Sequence, residues 1–593
     1  MDIRSGTPPQ SPKSDPGRSS VITTRSDLIQ ALCDAAQLEH GLCCAYLFAA
    51  FSIKRRPEEG VPLDRLADLR NWESVLLLIA RQEMEHLGIV ANLLTAIGGM
   101  PYLQNPTFPI ASDRYGELPA LPLQRFSGEA IRRFLAFETP ELTHLRQVIL
   151  SRIAGKDHST ALSIAGKQIC AEMEWAEADV WEAKGGTFVP TLRLTGGLDI
   201  PYGPEVGQDM WLRWEKPHPP NGKDLQAKQA LGSSTVNTGV EIPVYDGGEL
   251  KAVWRFFYET FRTVDEDDGL AEAVELLLSE LDLYSLRDRL DNVADPQPNV
   301  DALREFEPRY ATIGGFYRQI RKGFLRICFR DHQPIGGGLF TGFQTGNPDI
   351  GILDRYVHDM DMPTVSDLDS ALAAIKEIIE NGEAAFDRRV ASHYVRLKEL
   401  LKNFESVMAQ ADSFEPARAT VDNPVTAQPK AIPARSECTL LEHPDAVAVA
   451  EIFDATYEIT LQMVARFFAF PDDKVLEKMA FAPLMTMAIR PLAEILGELN
   501  AAENSDQKAG PPFQTSAKDI LHPHRLAAWT VFGERLQQIA LACAEVQQNL
   551  RPEHKQAGER LTFIGKNVNF IASRLQTAVA QAKAGTLASG AEN

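Results

Sequence analysis

Cysteine is scarce in this chain, and its seven copies (Cys33, Cys43, Cys44, Cys170, Cys328, Cys438 and Cys543) are odd in number, scattered and free of any C-x-x-C step. That pattern excludes a disulfide framework, and a reducing, cytoplasmic setting is expected. Basic residues are outnumbered, 60 Lys+Arg against 81 Asp+Glu, for a net charge of −21. The averaged field repels phosphate backbones and anionic lipid, so neither nucleic acid nor a membrane surface is an expected partner. Unbroken apolar runs are missing too. No stretch reaches the roughly eighteen residues of a membrane span, and the opening MDIRSGTPPQSPKSDPGRSS lacks the apolar core of a secretory signal. A disordered tail over 1–23 and no export are expected.

The 593 residues are 44% hydrophobic, enough for a large core, and helical periodicity dominates them. The spacing predicts a long helix over 26–53 and a second over 74–97, stopped by Gly98-Gly99 and joined by the turn-rich RRPEEGVPLD. A short helix is expected over 128–137, and further helices over 142–186, 248–291 and 312–329. Another opens near Ser366 with Asp369 as its capping-box partner and runs to Phe386. Residues 190–247 read as a loop-rich insertion. Residues 411–437, rich in Ala, Pro and Thr, read as a linker, followed by helical stretches over 444–470, 473–499, 524–550 and 553–583. The fold class expected is mainly α.

The chemistry concentrates in acidic and imidazole residues on apolar faces. Glu83 and His86 form a Glu-x-x-His step, and residues three apart share one helix face and can reach one ion. The apolar stripe of Leu76, Ile79, Ala80, Leu87, Val90 and Leu94 runs through both, whereas Glu85 aligns with Arg81 and Asn92 and is expected to face solvent. Glu39 lies on the apolar face of the preceding helix, and Glu383 and then His393 follow on later ones. An ionised carboxylate in such a place asks for a partner. A shared ion and a metal-free Glu/His hydrogen-bond network are both answers. Oxygen-rich mixed ligation suits iron or manganese better than structural zinc. Tyr46, Tyr317 and Tyr394 are either redox or proton-transfer groups or core residues with a satisfied hydroxyl. His522 and His524 are expected to cap a helix.

The runs LEHGLCCAYLFAAFSIK, RQEMEHLGIVANLLTAIGGMPYL, FLAFETPEL, TIGGFYRQI, LFTG, SDLDSALAAIKEIIENGEAAF and SHYVRLKEL occur in this order. They resemble the ferritin-like family named for the iminophenylpyruvate dimer synthase domain, which itself resembles part of the large coupling proteins of violacein and indolocarbazole biosynthesis. The resemblance implies a ferritin-like four-helix bundle over 24–410, carrying the insertion, with a second helical lobe over 438–585. It implies metal positions at Glu39, Glu83, His86, Glu383 and His393, with Glu138 at a further recurring acidic position, and Tyr46 and Tyr394 as candidate catalytic residues. Gly315 stands where the family commonly has Glu. Either Glu138 or water takes that place, or only one metal binds, or the chemistry is lost.

The function implied is a non-haem iron oxidase or oxygenase of specialised metabolism, with one or two irons or manganese, acting with dioxygen on an amino-acid-derived imine or similar small aromatic acid. A non-catalytic scaffold and a ferroxidase are the alternatives. A homo-oligomer or a pathway-enzyme partner is left open.

Overall fold

The computed structural model describes residues 24–103, 107–111, 118–139, 312–330, 338–341, 363–383, 392–410, 414–427, 437–470, 476–515 and 521–584, together with 22, 182–184, 187–189 and 473. The expected tail, the insertion, the helix over 248–291, and Cys170 lie outside them. The chain divides into two compact units. Of the first (Met1–Ile22, Asp113–Glu117, Ile149–Ala311), the described part is chiefly an antiparallel hairpin of β1 (Glu182–Lys184) and β2 (Thr187–Val189). Residues 182–184 are therefore a strand, not the end of the expected helix over 142–186, because Glu182 pairs with Val189 and Lys184 with Thr187; residues 142–181 of that expected helix lie outside the described residues.

The second unit is helical. Helix α1 (Arg25–Ser52) opens on a reciprocal cap: Asp27 N–H donates to Thr24 Oγ1 at 3.2 Å and Thr24 N–H donates to Asp27 Oδ2 at 2.9 Å. Helix α2 (Leu66–Ala96) begins two turns earlier than its period suggests, since Leu69 and Trp72 already bury there and Trp72 Nε1 donates to Asn403 Oδ1 at 2.6 Å. It stops at Gly98, whose φ of 83° only glycine adopts readily, while Gly99 N–H closes on Leu94 O at 2.8 Å.

Helices α4 (Ile313–Arg330) and α5 (Leu368–Glu383) complete a ring in which α1 packs on α2, α2 on α5, α5 on α4 and α4 on α1. This is the expected four-helix bundle. The cap of α5 differs from the expected one: Asp367, not Ser366, accepts the Ser370 N–H at 2.9 Å. A short α3 (Gly128–Phe137) and α6 (His393–Gln410) pack on each other, and α6 also lies against α2 and α5.

The second helical group comprises α7 (Pro444–Ala469), α8 (Glu477–Leu496, part α and part π), α9 (Arg525–Asn549) and α10 (Lys555–Lys583). Helix α8 is, among the described residues, the one helix long and apolar enough to cross a membrane. About half of it is covered, and it packs between α7 and α10. His524 caps α9, accepting the Ala527 N–H at 3.3 Å.

The expected linker is seated where it is described. Arg418 is buried: its N–H donates to Ser52 O at 2.8 Å, its Nη1 to Phe51 O at 3.0 Å and its Nε to Glu59 Oε1 at 2.6 Å. A two-residue parallel pairing of β3 (Pro424–Val425) with β4 (Thr439–Leu440) follows.

Candidate metal centre

Seven buried side chains from five helices meet inside the bundle. Helix α1 supplies Glu39 and Tyr46, α2 supplies Glu83 and His86, α4 supplies Tyr317, and α6 supplies His393 from its first turn. Glu138 comes from the C-cap of α3, where the chain leaves the helix and the side chain is freed from helical direction.

Glu83 sits at the middle. Its Oε2 lies 3.0 Å from His86 Nδ1 and its Oε1 lies 3.4 Å from His393 Nδ1. Glu39 Oε2 adds a contact to His86 Nδ1 at 3.4 Å, and Glu138 Oε1 adds one to His393 Nδ1 at 3.4 Å. Two donor groups result, Glu39/Glu83/His86 and Glu83/Glu138/His393, each with ligand atoms within 4.8 Å of one another and with Glu83 common to both. The two imidazoles lie 5.5 Å apart between ring centroids.

The tyrosines bracket this arrangement. Tyr317 Oη donates to Glu39 Oε1 at 2.6 Å and Tyr46 Oη donates to Glu138 Oε1 at 2.8 Å. Burial first, and the neighbouring carboxylates second, push both phenols well above their ordinary range, so each keeps its proton.

Burial alone favours neutral groups, and in Glu39 it wins: desolvation, then repulsion from Glu83, raises its carboxyl to about 7. In the rings it loses. Burial is outweighed by Glu39 and Glu83 around His86, pushed up to about 10, and by Glu138 and Glu83 around His393, pushed up to about 9. In Glu83, too, burial is outweighed by the charge and close approach of His393 and by His86, and its carboxyl is lowered.

A metal fits these residues on two grounds. Glu39 Oε2, Glu83 Oε1, His86 Nε2 and both ring nitrogens of His393 are buried without a hydrogen-bond partner, a costly state for a finished polar network. Three carboxylates and two imidazoles, without thiolate, are the donor set of iron or manganese.

Of the other sequence candidates, Glu383 is the last residue of α5 and its side chain lies outside the described residues. The preceding Gly382 would carry a Cβ 3.3 Å from Glu138 Oε2, which brings that helix end beside the cluster. Tyr394 is half-buried, with the Lys398 ammonium 5.8 Å from its ring, and makes none of the contacts described for the cluster. Gly315 is half-buried in α4, its N–H on Thr312 Oγ1 at 3.0 Å; Glu138 provides a third carboxylate in a bundle that lacks one at 315.

The expectation for Glu85 is overturned. It is 3% exposed, with both carboxylate oxygens unpartnered, and burial, with His86 and Arg81 opposing and Glu377 assisting, pushes it up to about 8. A third group, His443, Asp445 and His554, went unnoticed in the sequence because its members come from the starts of two distant helices.

A family model described as ferritin-like matches residues 32–181 and 259–402. Dichlorochromopyrrolate synthase of Lentzea aerocolonigenes is 26% identical over 324 residues, covering 52% of this chain and 29% of that protein. The 2-imino-3-(indol-3-yl)propanoate dimerase of Chromobacterium violaceum is 32% identical over 210 residues, covering 34% of this chain and 19% of that protein. The chain thus spans less than a third of the length of either relative. No solved structure matches it. With the closed ring of α1, α2, α5 and α4 and the Glu/His cluster at its centre, these matches identify the chain as carrying a domain of the ferritin-like family.

Proposed function

We propose that this chain is a non-haem iron oxidase that joins or oxidises small aromatic, amino-acid-derived imines at the expense of dioxygen. The observation that carries the reading is Glu83, one carboxylate facing two histidines from different helices and common to two donor groups. The names of the two relatives, a synthase and an imine dimerase, support the substrate class. Glu39, Glu83 and His86 would hold one ion, and Glu83, Glu138 and His393 a second; iron there supplies electron transfer to dioxygen.

The protein's own contribution is positional and protic. Glu39 and His393 are fully buried, so the site is screened from bulk water, a setting that would protect an imine from hydrolysis. The rings of His86 and His393 are held protonated by their carboxylate neighbours, so taking up an ion would require them to give up protons. Coupling two imines through a new carbon–carbon bond releases two protons and two electrons, and dioxygen takes both as hydrogen peroxide.

The test is metal analysis after anaerobic iron loading, followed by oxygen-electrode measurements. About two equivalents per chain are expected, with oxygen uptake that depends on an arylpyruvate-derived imine. Less than ~0.2 equivalents would leave a scaffold, and uptake indifferent to the imine would leave a ferroxidase. Glu83→Ala and His86→Ala are each expected to lose the metal while keeping the helical circular dichroism.

A further inference from the structure

The three carboxylates of the cluster are not held alike. Glu39 and Glu138 each receive a phenolic hydroxyl, from Tyr317 at 2.6 Å and Tyr46 at 2.8 Å, whereas among the described residues Glu83 is met by His86 Nδ1 at 3.0 Å and by no tyrosine hydroxyl. The helper in each case comes from a different helix than the carboxylate it serves: α4 for Glu39 of α1, and α1 for Glu138 at the end of α3.

On Glu39 the consequence is atom-specific. Oε1 is taken by Tyr317, and Oε2, 3.4 Å from His86 Nδ1, has no hydrogen-bond partner. An unrestrained carboxylate can offer one oxygen or both to an ion. A donor fixed on one oxygen restricts that choice and leaves the other aimed at the cluster. On Glu138 the hydroxyl of Tyr46 lies on Oε1, the oxygen that also faces His393 Nδ1 at 3.4 Å, while Oε2 sits against Gly382 of α5, so there the phenol fixes the carboxylate's orientation rather than freeing its second oxygen. Tyr46 is itself immobilised, its ring 4.3 Å from that of Phe134 on α3. Both tyrosines are fully buried, and each hydroxyl is spent on donating to its carboxylate.

We infer that Tyr317 and Tyr46 are positioning residues: Tyr317 holds Oε1 of Glu39 so that Oε2 would be the oxygen offered to an ion, and Tyr46 fixes Glu138 in its orientation toward His393, whereas Glu83 takes its position from the two histidines. This assigns Tyr46 a role other than redox chemistry and rests on the metal-binding reading above. Neither tyrosine is a catalytic residue in this scheme, since each acts through a carboxylate.

The experiment titrates Co(II) into full-length wild-type protein and the Tyr317→Phe, Tyr46→Phe and Tyr394→Phe variants, with thermal unfolding of the ion-free forms alongside. Removing one oxygen atom from Tyr317 or Tyr46 is expected to weaken Co(II) binding about tenfold. The visible Co(II) bands should change in intensity as the released carboxylate changes its ligation. The Tm of the ion-free variants should stay near wild type, and Tyr394→Phe should change neither reading. Unchanged affinity and bands in both variants, or a lowered Tm with unchanged affinity, overturns the inference. Should a variant fail to fold, wild-type protein loaded with iron still decides: a phenolate-to-iron absorption band would show a tyrosine acting as ligand and overturn it. Wild type that takes up no Co(II) sinks the metal-binding reading itself, and this inference with it.

Discussion

His86 and His393 carry a pH signature that reaches the neutral-to-alkaline range. Their folded values, about 10 and about 9, lie above the ordinary imidazole value of ~6.5. Their stabilising contribution to the ion-free fold is therefore complete below ~6.5 and lost as pH rises through 9 and 10. Glu39, raised to about 7, and Glu85, raised to about 8, act in the same direction over a lower window that opens near the ordinary carboxylate value. The Tm of ion-free protein should fall steadily from pH 6 to pH 10, and metal affinity should rise over the upper part of that range as the rings give up protons. A flat Tm profile would contradict the charge assignment. Glu85→Gln isolates one part: it should raise the ion-free Tm at pH 9, where the carboxylate is charged and unpartnered, and leave it nearly unchanged at pH 5. The same residue marks a limit of sequence reading. The phase of the apolar stripe found Glu39, Glu83 and His86, all of which bury, but it placed Glu85 in solvent. From Glu85 to Ala96, helix α2 is covered on every side, so phase no longer separates inside from outside.

At the level of elements, periodicity located the bundle helices and the four helices of the second group to within a few residues, save for the start of α2, which lies eight residues before the expected one, because each buries a continuous apolar face. It failed where polar contacts decide. The segment around Arg418 reads as a linker by composition, yet three hydrogen bonds from one guanidinium and its backbone fix it to the end of α1 and its following turn. The group at His443, Asp445 and His554 is a second instance. His443 Nδ1 already accepts the Asp445 N–H at 3.2 Å as the cap of α7. Asp445 Oδ2 accepts from His554 Nδ1 at 2.6 Å and from the Arg551 N–H at 3.2 Å, where α10 is about to begin. The positive end of a helix dipole and an adjacent arginine oppose a cation there, so the cluster works as a staple between two helix starts. Asp445→Ala should cost about 1–3 kcal/mol, read as a lowered denaturation midpoint. The loss should be the same with and without chelator, because no ion takes part.

Across the whole second unit, the bundle and the following helices interlock at two places, one apolar and one charged. Tyr457 of α7 reaches α1, where its hydroxyl lies 3.1 Å from Cys44 Sγ and meets the ring of His40, the residue after Glu39. Phe453 and Phe513 pack edge-on or stacked around it, so the contact sits in a core rather than on a rim. At the other place, Arg55, just beyond α1, pairs with Glu73 of α2 and with Glu494 of α8; Arg490 of α8 binds the same two carboxylates, and Arg560 of α10 binds Glu494 and Glu498. Arg55 is mostly covered, and its two carboxylates raise its guanidinium further although burial opposes them. A network of this kind couples the two groups of helices more strongly than one exposed pair does. The unit is thus expected to unfold in a single cooperative transition by calorimetry. In a double-mutant cycle, Arg55→Ala and Glu494→Ala should show a coupling of about 1 kcal/mol that shrinks in high salt. Tyr457→Ala, which opens a cavity beside α1, should lower the midpoint by more than either charge deletion and loosen metal retention at Glu39 as well. Two separated transitions, or a Tyr457→Ala variant that keeps its metal at wild-type affinity, would show the second group of helices to be an independent appendage with no hold on the centre.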